Sequence, residues 1–217
     1  MKKIWALVMT FIIALFSFVA CDCTNLGNSG LSGGSSGSSS NSGLVDGQTK
    51  QYITHFDGYN QCIVFPAVAW DTTLHKGGKV VNDWNTDMRY VSEGTGSIKV
   101  SMHEPAQDKT YWYKGRIEAN NGFVSSITDI NDATGIFLDI CNPSDKTIEV
   151  TIEIESASTA MVSVAKDCLP GQWTTVSTTI EEANYDIVNW YSITLKNKTD
   201  NETFTVYMDN FYLTFAD

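Results

Sequence analysis

Two short segments set indole rings beside groups that hydrogen-bond. Trp112, Lys114 and Arg116 alternate with Tyr111, Tyr113 and Ile117, and Trp190, Ser192, Thr194 and Lys196 alternate with Tyr191, Ile193 and Leu195. In an extended chain every second side chain shares a face. With the Tyr, Ile and Leu set packed inward, the tryptophans face outward among ammonium, guanidinium and hydroxyl groups. A flat indole covers the C–H face of a pyranose ring, and the flanking groups hold its hydroxyls. Trp70 and Trp84 are two further candidates, because 70–87 reads as a long loop with Gly77-Gly78 at a turn. Each of these tryptophans has a competing reading as core, and a slip of one residue inverts every face.

Carboxylates are the other reactive set. Glu149, Glu153 and Glu155 alternate with Val150, Ile152 and Ile154. Glycoside hydrolysis needs two carboxyls facing each other across a bond. Residues i and i+2 of a strand lie about 7 Å apart, so Glu153 and Glu155 span an inverting geometry. The segment lacks the Glu-x-Asp-x-x-Glu arrangement of sandwich-fold glucanases, and a Glu/Ile alternation is the ordinary pattern of a solvated strand face. No nucleophile elbow is present, and His55, His75 and His103 stand isolated. The sequence therefore reads as non-enzymatic, with a sandwich-fold glycoside hydrolase as the minor alternative.

The chain opens with Met1-Lys2-Lys3, an apolar run from Ile4 to Ala20, and Phe18-Val19-Ala20-Cys21. Two lysines, a short apolar core and small residues before a cut site form a secretory signal. A cysteine directly after the cut resembles the bacterial lipobox, with Phe18 where that motif usually carries Leu. The resemblance implies that the Cys21 thiol takes a lipid. An uncleaved anchor and ordinary secretion are the alternatives, and all three place the rest of the chain outside the cytoplasm. From Asn28 to Gly43 the chain is almost entirely Ser and Gly, too poor in apolar surface to order itself. The expected organisation is a signal peptide at 1–20, the lipid-attachment cysteine with a flexible linker at 21–47, and one domain at 48–217.

The formal charge is −11, and loss of Lys2 and Lys3 with the signal takes it to −13. That balance excludes nucleic acid or an anionic lipid surface as the main partner, since both need a basic face. Any membrane contact falls to the lipid anchor. With Cys21 acylated, Cys23, Cys62, Cys141 and Cys168 remain, spaced unlike any zinc site. Buried free thiols or one structural bridge fit this pattern.

Period-two alternation runs through the folded part. Besides the segments above it marks 51–56, 62–69, 97–102, 135–141, 159–165, 173–180 and 203–214, separated by turn sequences such as Asn142-Pro143-Ser144-Asp145 and Pro170-Gly171. About ten short strands with no amphipathic helix predict an all-β fold, a two-sheet antiparallel β-sandwich or jelly roll.

Five segments in order resemble carbohydrate-binding modules of the galactose-binding-like jelly-roll group. They are Phe56-Asp57-Gly58, Gly94-Thr95-Gly96-Ser97-Ile98-Lys99-Val100, Asn142-Pro143-Ser144-Asp145, Gly171-Gln172-Trp173-Thr174-Thr175-Val176, and Val206-Tyr207-Met208-Asp209-Asn210-Phe211-Tyr212-Leu213. The resemblance implies a non-catalytic module that binds a polysaccharide or other glycan on a sheet face or in loops at one end. It implies a core position for Trp173. It also implies one structural Ca2+ held by Asp57 and Asp209, although members often carry Glu where this chain has Asp57. The competing reading of that pair is a turn at Asp57-Gly58 and a structurally hydrogen-bonded Asp209. A surface adhesion or assembly protein that grips another protein remains the alternative function.

Overall fold

A strand that alternates apolar with polar side chains has one dry face, and that face must be covered by another element. The computed structural model describes residues 47–63, 67–68, 79–104, 112–120, 127–157, 159–181, 185, 187–199 and 203–217, of which 63, 67–68, 79–80, 103–104 and 112–114 are described by their backbone alone. Cys21, the Ser/Gly segment and Trp70 lie outside the described residues. Two antiparallel sheets cover each other's dry faces. One contains β1 (Gln48–Thr54), β3 (Lys79–Asn85), β4 (Ser97–Glu104), β6 (Ala133–Asn142), β9 (Gln172–Thr179) and β11 (Phe204–Ala216). The other contains β2 (Ala67–Val68), β5 (Trp112–Glu118), β7 (Ile148–Ser156), β8 (Thr159–Cys168) and β10 (Trp190–Asn197). The expected β-sandwich is the observed fold.

Between the sheets, Ile98 and Val100 of β4, Ile136, Leu138 and Ile140 of β6, and Val206 and Met208 of β11 meet Val150, Ile152 and Ile154 of β7 and Tyr191, Ile193 and Leu195 of β10, all fully or almost fully buried. Tyr191 donates its hydroxyl to the carbonyl of Ile127, so its one polar atom is satisfied inside the core. Cys62, Cys141 and Cys168 are free, buried thiols, and burial pushes Cys62 up to about 12 and Cys168 up to about 11.

Three local readings need correction. Trp84 lies in β3, an edge strand paired with β4, and not in a loop. Its neighbours Asn82, Asp83 and Asn85 are polar, so β3 carries no alternation and forms by hydrogen bonding to β4 rather than by burying a stripe. The single strand expected over 62–69 is divided between a one-turn helix, α1 (Tyr59–Ile63), and the two-residue β2. Pro66 has no N–H to give to a ladder. Trp173 packs with Cys141, Tyr207 and Tyr90 in a small cluster on the outer face of the six-stranded sheet, away from the core. Val176 takes the core position in β9, and a residue three places earlier falls on the opposite face.

The longest strand, β11, changes face part-way. Phe204, Val206 and Met208 point into the core, and so do Phe211 and Leu213. The switch of parity occurs at Asn210, whose φ is 48°, where the register against β6 shifts between Asp209 and Tyr212. This is a β-bulge, and Asn tolerates the left-handed conformation better than most residues. Replacing Asn210 by Ala or by Gly removes the same side-chain hydrogen bonds, but only Ala meets the left-handed penalty. Asn210→Ala should therefore be less stable than Asn210→Gly by about 1 kcal/mol, read from urea unfolding of the two proteins.

Candidate functional site

The outer face of the five-stranded sheet is built in cross-strand rows. Trp190 lies between Glu118 of β5 and Glu155 of β7, and Ser192 lies between Arg116 and Glu153. Thr194 lies between Lys114 and Thr151, and Lys196 between Trp112 and Glu149. Since Tyr191, Ile193 and Leu195 are wholly buried, the alternation expected for β10 is the one observed. Backbone pairing puts Trp112 and Lys114 at register positions on the same face, and their side chains lie outside the described part.

One buried ion pair organises the top of this face. Glu155 is 4% exposed, although it belongs to the Glu/Ile alternation that reads as a solvated edge. Glu155 keeps its place opposite Trp190 on the outer face and is covered there by Arg116 and Ser192, while the register shift between Ile154 and Glu155 inserts Met161 into β8. Arg116 Nη2 donates to Glu155 Oε2, and the hydroxyl of Ser192 donates to Glu155 Oε1. The guanidinium of Arg116 lies 4.6 Å from the Trp190 ring centroid. A planar guanidinium pairs with a carboxylate along its edge while its face stacks on an indole. Arg116 thus positions Trp190, and Glu155 and Ser192 position Arg116. The same bonds commit the Glu155 carboxylate, which removes it from the facing pair that hydrolysis requires.

Beside Trp190 a cavity of about 300 Å³ opens at the end of the sheet, lined by Glu118, Asn120, Thr128, Ile187, Val188, Asn189 and Trp190. Three separate segments form its wall, knitted by backbone bonds from Ala119 N to Asn189 O and from Val188 N to Thr128 O. Asn189 N donates to Glu155 O, which ties the wall to the ion pair. The Asn189 side chain accepts from Ala157 N through Oδ1 at 2.6 Å, so its Nδ2 is left as the donor. The lining thus offers an indole, an apolar Ile187 that is 70% exposed, one carboxylate, two amides and a hydroxyl. An apolar face ringed by acceptors and donors suits a ligand with one C–H face and a rim of hydroxyls. Of these lining residues only Trp190 stands out in the sequence. The turn sequence Asn120-Asn121-Gly122 gives a faint signal at Asn120, and Thr128, Ile187 and Asn189 give none.

The remaining candidates lie on the other sheet. Trp84 is 37% exposed on β3, and its indole lies so close over Gly96 that a Cβ there would overlap Nε1. Asp57 follows β1, and Asp209 is fully buried in β11. Burial pushes the Asp209 carboxyl up to about 7, against backbone N–H donors from Glu93, Ser92 and Asn210 that favour its charged form. Among the described residues no group of three or more His, Cys, Asp or Glu converges as a metal site would. That sheet also carries an aromatic row: Phe137 and Tyr212 stack at 4.9 Å with planes 7° apart, and Tyr52 follows at 5.5 Å. Tyr212, the middle ring of this row, is 4% exposed and lies under Lys50 Nζ at 4.5 Å.

Among solved structures, the chain superposes on a family 11 carbohydrate-binding module from Clostridium thermocellum in complex with a β-1,3-1,4-mixed-linked tetrasaccharide. The TM-score is 0.50 at 14% identity, over 76% of this chain and 94% of that one. A second carbohydrate-binding module, TmCBM27, studied for specific mannan recognition, matches with a TM-score of 0.51 at 9% identity, over 78% of this chain and 99% of that one. The fold is the two-sheet β-sandwich that these carbohydrate-binding modules share. No family profile and no curated relative matches the sequence.

The ion pair within this module yields a sharp expectation. Removing one partner leaves an uncompensated charge in a desolvated place, so Arg116→Ala or Glu155→Ala should each cost about 3–5 kcal/mol. Arg116→Met combined with Glu155→Leu should cost less than either single change, as read by urea unfolding of all three proteins.

Proposed function

We propose that this chain is a non-catalytic glycan-binding module held at a bacterial surface by a lipid on Cys21. The observation that carries the reading is the cavity beside Trp190, where an indole fixed by a paired guanidinium meets a carboxylate, two amides and a hydroxyl. The ligand is a polysaccharide or other glycan, stacked on Trp190 and hydrogen-bonded by Glu118, Asn120 and Asn189. Trp112, Lys114 and Lys196 share the face by register and extend it along the sheet toward further sugar units. Acidic charge and the paired state of Arg116 favour an uncharged ligand over nucleic acid. Such stacking and hydrogen bonding gives single-site affinities in the micromolar-to-millimolar range. Many copies tethered on one surface raise the avidity.

A second reading, a surface protein as partner, is favoured by one observation. Tyr59, Val81, Trp84 and Met88 are exposed apolar side chains on α1, β3 and the turn that follows β3. That region belongs to the opposite sheet, so the two readings use different residues.

The test is a binding screen of the purified full chain, in detergent, against soluble plant, microbial and host glycans. Saturable binding should weaken about tenfold or more in Trp190→Ala and fall in Glu118→Gln, while Trp84→Ala leaves it unchanged. Binding that survives Trp190→Ala would move the site away from the cavity. Absence of binding across the panel would turn the reading to a protein partner. In cells, Cys21→Ala should abolish fatty-acid labelling and release the protein from the membrane fraction.

A further inference from the structure

Strand β11 has two different neighbours along one of its edges. Residues 204–208 pair with β4, ending at Met208 opposite Ile98. Residues 211–216 pair with β1, beginning at Phe211 opposite Thr54. Asp209 and Asn210 fall between the two ladders, and on that edge the segment 92–96 takes the place of a strand. Asp209 Oδ2 accepts from Ser92 N at 2.8 Å and from Glu93 N at 3.1 Å, and the one proton of the Ser92 hydroxyl is shared between Asp209 Oδ2 at 3.2 Å and Asp139 Oδ2 at 3.0 Å, where Asn210 Nδ2 also donates. Its Oδ1 accepts from Asn210 N at 2.8 Å. From the other side, Asp57 Oδ1 accepts from Thr95 N, from Gly96 N at 3.1 Å and from the Thr95 hydroxyl at 3.1 Å. Gly94 lies between the two grips with φ at 80°, and a Cβ there would overlap the Asp57 carboxylate. Glu93 adds a third hold: its carboxylate accepts from the Tyr52 hydroxyl at 3.2 Å and lies 3.7 Å from Lys50 Nζ.

The resemblance to jelly-roll modules places a structural Ca2+ on Asp57 and Asp209. Calcium needs carboxylate and carbonyl oxygens converging on one point. Here Asp57 Oδ1 and Asp209 Oδ2 are turned to the backbone N–H groups of residues 92, 93, 95 and 96, which carry partial positive charge and occupy lone pairs that a cation bridging the two acids would use. The donor set fits an anion-accepting loop, and it does not fit a cation. We infer that Asp57 and Asp209 form a metal-free brace, in which two carboxylates clasp the loop 92–96 from either side and join β1 to β4 where β11 changes partner. Hydrogen bonds from loop amides to a carboxylate are of the stronger, charge-assisted kind when the acceptor is ionised, and the N–H groups of residues 92, 93 and 210 favour that form of Asp209 against its burial. The brace makes stability independent of divalent cations.

Thermal unfolding of the purified full chain, followed by tryptophan fluorescence in millimolar CaCl2 and in EDTA, tests this. The two midpoints should agree within about 1 °C, whereas a site filled at a hundred times its Kd would raise the midpoint by roughly 5–10 °C. Asp57→Ala should lower the midpoint equally in both buffers. Asp57→Asn keeps an acceptor oxygen and should fall less than Asp57→Ala. A calcium-dependent rise in the native protein that disappears in Asp57→Asn would overturn the brace, as would equal losses in the Asn and Ala variants. Hydrogen exchange needs no variant: the amides of residues 92, 93, 95 and 96 should be protected in EDTA. Rapid exchange in EDTA with protection only in calcium would overturn the inference.

Discussion

The constraint on which the rest depends is that one strand must serve two partners. β11 is hydrogen-bonded along one edge by β6 and along the other by β4 and then β1. No strand can hand over from one neighbour to the next without leaving backbone groups between the two ladders unpaired, and buried unpaired groups are costly. The chain meets that cost with a bulge and two acids. Asn210 takes the left-handed turn, Asp209 receives the amides that approach across the gap, and Asp57 closes the far side. The parity switch also lets the thirteen-residue strand keep an apolar inner face on both sides of the bulge, from Phe204 to Leu213.

The same logic of positioning by a buried charge recurs on the opposite sheet. Glu155 orients Arg116, Arg116 underlies Trp190, and Asn189 ties the cavity wall to the carbonyl of Glu155. The indole is therefore held by contacts within the protein. At the glycan site proposed there, less of its rotational freedom remains to be lost, which is how preorganisation raises affinity. The cavity and the brace lie on different sheets, so changes at one should be read independently of changes at the other.

How much of this was legible in the sequence follows from how each element buries its residues. β7 and β10 are half-buried strands, and Ile148–Ile154 and Tyr191–Leu195 announce them by strict alternation. The outward placing of Trp190 and Arg116 follows directly. β3 announces nothing, because an edge strand with Asn82, Asp83 and Asn85 gains its place from hydrogen bonds to β4. Glu155 was indistinguishable from its solvated neighbours, since the Arg116 and Ser192 that cover it come from strands distant in sequence. The cavity was illegible for a related reason: Glu118, Thr128 and Asn189 come from three segments that meet only through long-range backbone bonds.

The placement of β1 has a mechanical meaning for the lipid tether proposed at Cys21. A pull on the linker arrives first at Gln48, on a strand whose one partner among the described residues is β11. The ladder from Gln48–Ala216 to Thr54–Phe211 bears that load, and peeling starts at its tethered end. Peeling would next reach Asp57, whose grip on Thr95 and Gly96 anchors the far end of the strand to the body of the sandwich. The grip thus acts as a stop, placed where a pull from the N-terminal side would otherwise begin to unravel the sandwich.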